Sequence, residues 1–314
     1  MAWSLYALLV FPGLLFLVFA GWVVEYVDRK LYARLQNRLG PPWFQPFADF
    51  VKLVAKEELI PTEANPRMFK LMPVLALTAV LTAFLHIPLG NTRPPIAFEG
   101  SIVVVVYLLT IPTMTFFLGG WYSTSLYAMI GAVRTLTQLF AYEVPLLLAV
   151  LAPAVLAHTW SLSAMSVFYD QHPVYALTNL IGFLVALVAL QGKLERVPFD
   201  IPEAETEIVG GTFTEYSGRL LGLFRLAIDM ELVAGASLVA AVFLPFGLGL
   251  APLWGFLLYL LKVLFVVFLL ALLRTVTARL RIEQMVVFCW KYLAPAALLQ
   301  LLLSLVLSWV IMKS

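Results

Sequence analysis

Eight apolar runs dominate the sequence, each of the roughly 20 residues that a helix needs to cross the hydrocarbon core of a bilayer. They fall at about 3–27, 68–90, 101–121, 131–158, 173–193, 218–246, 252–274 and 285–312. In lipid every backbone N–H and C=O must find its partner within the protein, so such runs fold as helices. Composition agrees, with 62% of 314 residues hydrophobic and only 12% charged. A soluble domain carries about 25% charged residues. No linker, low-complexity tract or repeat divides the chain. Residues 1–314 therefore read as a single all-α integral membrane domain of eight transmembrane helices. The run from Trp3 to Val24 lacks a basic lead and a small-residue cleavage site, so it reads as a retained first helix and not as a signal peptide.

Basic residues sort the connections by side. The first holds Arg29, Lys30, Arg34, Arg38, Lys52, Lys56 and Arg67. Arg134 follows the third span, Lys193, Arg196 and Arg219 bound the fifth connection, and Arg274, Arg279 and Arg281 follow the seventh. The other side offers Arg93 and Lys313. Lysine and arginine stay cytoplasmic, which places both termini outside. Within the first connection, Trp43 to Glu57 sets Phe47, Phe50, Val51, Val54 and Ala55 on one helical face, away from Asp49, Lys52 and Lys56. That pattern predicts an amphipathic helix lying on the inner leaflet, or packed on a partner protein.

Several chemistries are excluded. The net charge of +2 gives no footprint for nucleic acid. One cysteine, Cys289, makes neither a disulfide nor an iron–sulfur cluster. His86, His158 and His172 all sit near helix ends, where they cannot hold a haem at depth. The chain is expected to carry no redox centre of its own.

Ionisable groups inside a span cost about 2.5–3.5 kcal/mol each and need a reason. Glu143 falls near the middle of span four, Glu231 of span six and Lys262 of span seven. Arg225 and Asp229 share a face of span six and are expected to pair. Glu25, near the inner end of span one, is expected to snorkel. On one reading Lys262 neutralises a carboxylate and holds the bundle together. On the other, two acids and one base form a hydrated track that moves protons, with Pro145 loosening the helix beside Glu143.

The fifth connection, Glu195 to Arg219, sets Glu195, Asp200, Glu203, Glu205, Glu207 and Glu215 against only Arg196 and Arg219. Pro202 suits the first turn of a short helix, whose start favours acids, and Gly210–Gly211 suit its end. Phe199, Ile201, Ile208, Val209, Phe213 and Tyr216 are interleaved with the acids, a pattern that suits burial under a partner.

Collinear segments now point to a family. DRKLYARLQNRLGP (28–41), QPFADFVKLVAKEELIP (45–61), GAVRTLTQLFAYEVP (131–145), RVPFDIPEAETEIVGG (196–211), TEYSGR (214–219) and ARLRIEQ (278–284) resemble the NuoH-type subunit that forms the quinone chamber of respiratory complex I. They also resemble its counterparts in membrane-bound nickel–iron hydrogenases and sulfane-sulfur-reducing complexes. The resemblance implies eight spans with an amphipathic helix after the first, in the plasma membrane of a prokaryote. It implies that the acids Asp200, Glu203, Glu205, Glu207 and Glu215 open a polar path for ions. Glu143 and Lys262 lie further along that path, beside the Asp229 and Glu231 of span six. Arg29, Arg38, Arg134, Arg196, Phe199 and Tyr216 are expected to meet partner subunits.

Those partners would be hydrogenase-like large and small subunits, an iron–sulfur subunit and antiporter-like membrane subunits, with lipid around them. Iron–sulfur clusters and a nickel–iron centre would reside in the partners, and no cofactor in this chain. Two departures set the branch. Only Pro42, Trp43 and Phe44 separate Pro41 from Gln45, where complex I has a longer stretch, and Asp28 stands where complex I usually has glutamate. The short connection and the Gly210–Gly211 pair look more like the ferredoxin-linked hydrogenase branch. The expected role is the membrane anchor and ion-coupling subunit of such a complex. A quinone-binding complex I subunit, a purely structural anchor and a stand-alone transporter are the alternatives.

Overall fold

The computed structural model describes residues 2–313, with side chains for all but 2–4, 205–206 and 311–313. Among them the architecture is helical throughout. The first apolar run folds as two helices, α1 (Ala2–Leu9) and α2 (Leu14–Leu35), because Pro12 has no N–H to continue the first. Helix α3 (Gln45–Ala55) is the expected amphipathic element. Trp22 of α2 receives the rings of Phe47 and Phe50 at 5.1 and 5.6 Å, while Val51 and Val54 remain exposed. Helix α4 (Pro66–Phe84) starts where the Asn65 carboxamide oxygen accepts from the Arg67 and Met68 N–H groups, with Pro66 at a position that needs no donor.

Helices α5 (Ser101–Tyr122) and α6 (Leu126–Ala157) follow, then α7 (Leu162–Gln171), α8 (Pro173–Leu177) and α9 (Leu180–Lys193). A four-residue turn, α10 (Glu205–Ile208), is all the α-helix that the acidic connection forms. Helices α11 (Gly218–Phe243) and α12 (Pro252–Val276) complete the centre. The last span is α13 (Ile282–Phe288), a π turn over Cys289–Leu293, and α14 (Ala294–Lys313). Pro295 cannot donate the next helical bond, which accounts for the wider turn before it.

Among the described residues, seven helical stretches are long and apolar enough to cross a membrane. The fifth expected span, 173–193, differs from that expectation. It is interrupted after α8, and α9 covers 14 residues, about 21 Å against a core of about 30 Å. Residues of the last span fix the interruption. Gln300 Nε2 donates to Asn179 Oδ1 at 3.0 Å, and the Gly182 N–H donates to Gln300 Oε1 at 3.3 Å. The start of α9 is thereby satisfied at depth, where an unpaired N–H costs several kcal/mol. Helix α11 is the hub: most of its residues are buried, and it packs on α2, α4, α3 and α12.

A charged cavity and the candidate coupling site

Position 196 organises the basic end of the bundle. The Arg196 side chain, just past α9, is only 10% exposed, and its two terminal nitrogens lie 2.7 Å from Glu25 and 2.7 Å from Asp28 of α2. Those acids are one helical turn apart, so one planar guanidinium can span both. Arg29 adds a second cation to Glu25 at 2.6 Å, and Arg274 of α12 approaches Asp28 at 3.4 Å. Burial opposes the charge of Arg196, but Asp28 and Glu25 outweigh it and hold its pKa above the usual value. Glu25 therefore does not snorkel to water; it is 7% exposed and tied across the bundle.

Beside this clamp a cavity of about 750 Å³ opens between α2, α3 and α11, with seven carboxylates and eight basic side chains among its 24 lining residues. Its inner wall ends at a buried ion pair. Lys193 of α9 and Glu231 of α11 meet at 3.0 Å with side-chain exposures of 2% and 1%. The Lys193 ammonium also donates to the Leu109 carbonyl oxygen of α5, in the turn before Pro112. The next residue, Thr110, donates to Glu143 Oε1 at 2.7 Å. Tyr142 packs its ring 5.9 Å from Lys193 and shares a 3.1 Å hydrogen bond with Thr113. Glu143 is also near enough to Glu231 for the two charges to interact. Cavity, ion pair and Glu143 thus form one continuous polar series.

Glu195 lines the same cavity. Burial first, then the Glu203 and Glu231 charges, push its carboxyl up to about 8 against the pull of Arg225. Among the described residues its Oε1 has no hydrogen-bond partner. Below about pH 4.5 the group is protonated in both folded and unfolded chains. As pH rises towards 8 the unfolded chain releases the proton first, so stability falls over that window and levels off above it. Glu195→Gln should flatten this slope, measured as the thermal midpoint of the purified complex between pH 5 and 8. An unchanged slope would show that Glu195 is solvated.

The sequence-derived sites fare unequally. Lys262 does not face Glu143 or Glu231; its ammonium donates to the Phe246 carbonyl oxygen at the other end of the bundle. Lys193 of α9 takes the place beside Glu231 expected for Lys262. Arg225 pairs with Glu203 at 2.9 Å and not with Asp229, because α11 presents Arg225 to the acidic connection. Asp229 instead lines the cavity.

The acids of the connection are met by this chain's own arginines. Asp200 lies 3.4 Å from Arg279, and Glu207 lies 2.6 Å from Arg134 and 3.5 Å from Arg279. Arg134, first among its contacts, holds the Glu207 carboxyl below its usual pKa. Glu215 is half-buried, and the side chain of Glu205 lies outside the described residues.

The interleaved apolar residues are likewise turned inward. Phe199, Ile201, Ile208, Phe213 and Tyr216 are all buried in this chain, and only Val209 is exposed. Tyr216 stacks on Phe69 at 3.9 Å and donates to its carbonyl oxygen. Phe199 and Tyr216 are therefore packing residues rather than surface for a partner, and Arg196 is internal too. Arg29 also bonds within the chain, to Asp49 at 3.1 Å, whereas Arg38 is exposed.

Gly211 makes this inward fold possible. Its φ is +57°, and a Cβ there would lie 1.8 Å from the Pro202 carbonyl oxygen. The connection also meets α6 at Gly131, where a Cβ would lie 2.6 Å from the Thr212 nitrogen.

Lys193, Glu195, Glu25 and Asp28 are site residues that the sequence reading names only as topology, snorkelling, acidic-loop or family-departure positions and does not assign to the site. A lysine closing an apolar run reads as a topology marker, and DRK reads as a snorkelling end. Among the described residues no group of three or more His, Cys, Asp or Glu side chains could hold a metal ion.

The fold is thus a helical membrane bundle with a charged inlet at one end and a buried ion pair behind it. The sequence matches the family described as NADH dehydrogenase over residues 7–305, and the chain belongs to that family. It is 35% identical over 309 residues to the H-type subunit of NADH-quinone oxidoreductase from Carboxydothermus hydrogenoformans, covering 95% of this chain and 87% of that one. The Syntrophotalea carbinolica protein of the same name is 36% identical over 304 residues, covering 91% and 90%. Among solved structures, a chain of the membrane-bound sulfane sulfur reductase, an archaeal respiratory membrane complex, superposes with a TM-score of 0.85. It is 27% identical and covers 97% of this chain and 100% of its own. The protein is thus a multi-pass membrane protein and a NuoH-type subunit of complex I-like oxidoreductases.

Proposed function

We propose that this chain is the membrane anchor and ion-coupling subunit of a ferredoxin-linked oxidoreductase complex in a prokaryotic plasma membrane, with electrons confined to its partners. Hydrogenase-like large and small subunits and an iron–sulfur subunit would cover the basic face, and antiporter-like subunits would flank the bundle. The observation that carries the reading is the polar series from the cavity through Lys193–Glu231 to Glu143. A static anchor has no use for a buried carboxylate oxygen such as Glu143 Oε2, which has no hydrogen-bond partner among the described residues. Asp200 and Glu203 border the cavity, Asp229 and Glu231 lie within, and Glu207 sits outside it, on Arg134 and Arg279. Glu143→Gln keeps the shape and removes the titration. Expected is normal subunit content with ion uptake into inverted vesicles reduced at least tenfold per electron transferred. Unchanged uptake would remove Glu143 from the path.

The names of the relatives favour a second reading, in which the cavity admits a quinone. Small-molecule sites are mostly apolar, whereas charged side chains form most of this cavity's lining. The lining suits water and ions, in keeping with the short Pro41–Gln45 connection. Reduction of a quinone analogue by the purified complex, blocked by quinone-site inhibitors, would decide for the second reading.

A further inference from the structure

At the end of the bundle away from the charged cavity lies a set of buried polar groups that the path above does not use. Lys262 is ten residues into α12, about 15 Å below its start, and 9% exposed. Its ammonium donates to the Phe246 carbonyl oxygen and sits 4.4 Å over the Phe246 ring, not against a carboxylate. Asp170 is near enough to act on its charge, but is engaged at 2.7 Å by the Gly247 N–H. Beside the ammonium is a cavity of about 20 Å³, lined by Ser166, Tyr259 and Lys262 among others. That is room for one water, with the polar partners a buried water needs. The Tyr259 hydroxyl in turn lies 2.7 Å from that of Ser237, and both residues are buried. Ser237 follows Glu231 on α11 by about 9 Å along the axis. Leu232, Val233, Ala234 and Ala236 make that interval apolar.

We infer that Ser237, Tyr259 and Lys262 form an outward-facing proton half-channel, separated from the charged cavity by this dry layer. Lys262 is aimed at the outer surface, and Lys193 at the inner cavity. The ligand is water, and the moving species is a proton. An ammonium on the wall repels sodium and potassium, and among the described residues no carboxylate lines the cavity to offset that. The transfer balances. The ammonium gives one proton to outer water. The resulting amine takes one from the cavity water, which takes one from the Tyr259 hydroxyl. Tyr259 takes one from Ser237, and Ser237 is refilled from the Glu231 side when water crosses the dry layer. Each group ends as it began.

The inference rests on protons moving through this chain, but its first test does not need movement. Lys262→Cys in the assembled complex, with the buried Cys289 replaced by alanine, is exposed to a membrane-impermeant methanethiosulfonate in right-side-out and inverted vesicles. Reaction from the outer side alone is expected. Reaction from the inner side, or from neither, overturns the half-channel. Because the shorter side chain itself enlarges the cavity, Tyr259→Phe supplies a second readout that leaves the volume nearly unchanged. Proton uptake should fall at least tenfold with full subunit content, and unchanged uptake overturns the inference. Loss of uptake in Glu143→Gln but not in Tyr259→Phe would sink the half-channel and leave the coupling role standing. No loss in either would sink both.

Discussion

Arg196→Met should destabilise the chain by about 3–5 kcal/mol, the range for breaking a buried ion pair by removing one partner. Asp28 is fully buried and would keep only the 3.4 Å approach of Arg274, while Glu25 would keep only Arg29. Two carboxylates one turn apart on α2 would then repel each other, each having lost one of its two cation partners. Arg196→Lys keeps the charge but not the fork, so it should recover only part of the loss. The measurement is the yield of assembled complex together with its thermal midpoint. Normal yield and midpoint in Arg196→Met would mean that the cavity water solvates both acids and that the clamp is incidental.

A comparable loss should follow Lys193→Met, for the same reason at a deeper site. Glu231, 1% exposed, would be left without a cation. The double variant Lys193→Met with Glu231→Gln removes both charges and should restore assembly, since neutralising a buried pair is often neutral or stabilising. If the pair only holds helices together, the double variant assembles and couples normally. If it relays protons, the double variant assembles and redox turnover no longer drives ion uptake. Glu231→Gln alone completes the cycle, and the non-additivity of the three variants in yield measures the pair itself. Uptake measures what the pair is for.

These two sites show where sequence reasoning reaches and where it stops. The spans and α3 are legible because hydrophobic length and 3.6-residue periodicity act locally. The break at Asn179 is not, since its cause, Gln300, lies in another helix. Depth along a helix can be counted from the sequence, and depth alone matches Lys262 to Glu143. Rotation about the helix axis cannot be counted, and it turns Lys262 towards Phe246 instead. The excess of acids in the fifth connection shows in the sequence, and so does its need for cover. The source of that cover does not, because Arg134, Arg225 and Arg279 reach it from distant helices and connections of the same chain.

Gly131 and Gly211 have a mechanical consequence. Backbone there meets backbone with no side chain between, and such a joint has no slack to absorb a displacement. Helix α6 carries that joint near its start and Glu143 about 18 Å further along the same rod. A displacement of the acidic connection is therefore delivered to Glu143 as a tilt or shift of the whole helix. No soft layer intervenes to dissipate it, so the joint ties the acidic connection to α6 as one rigid lever.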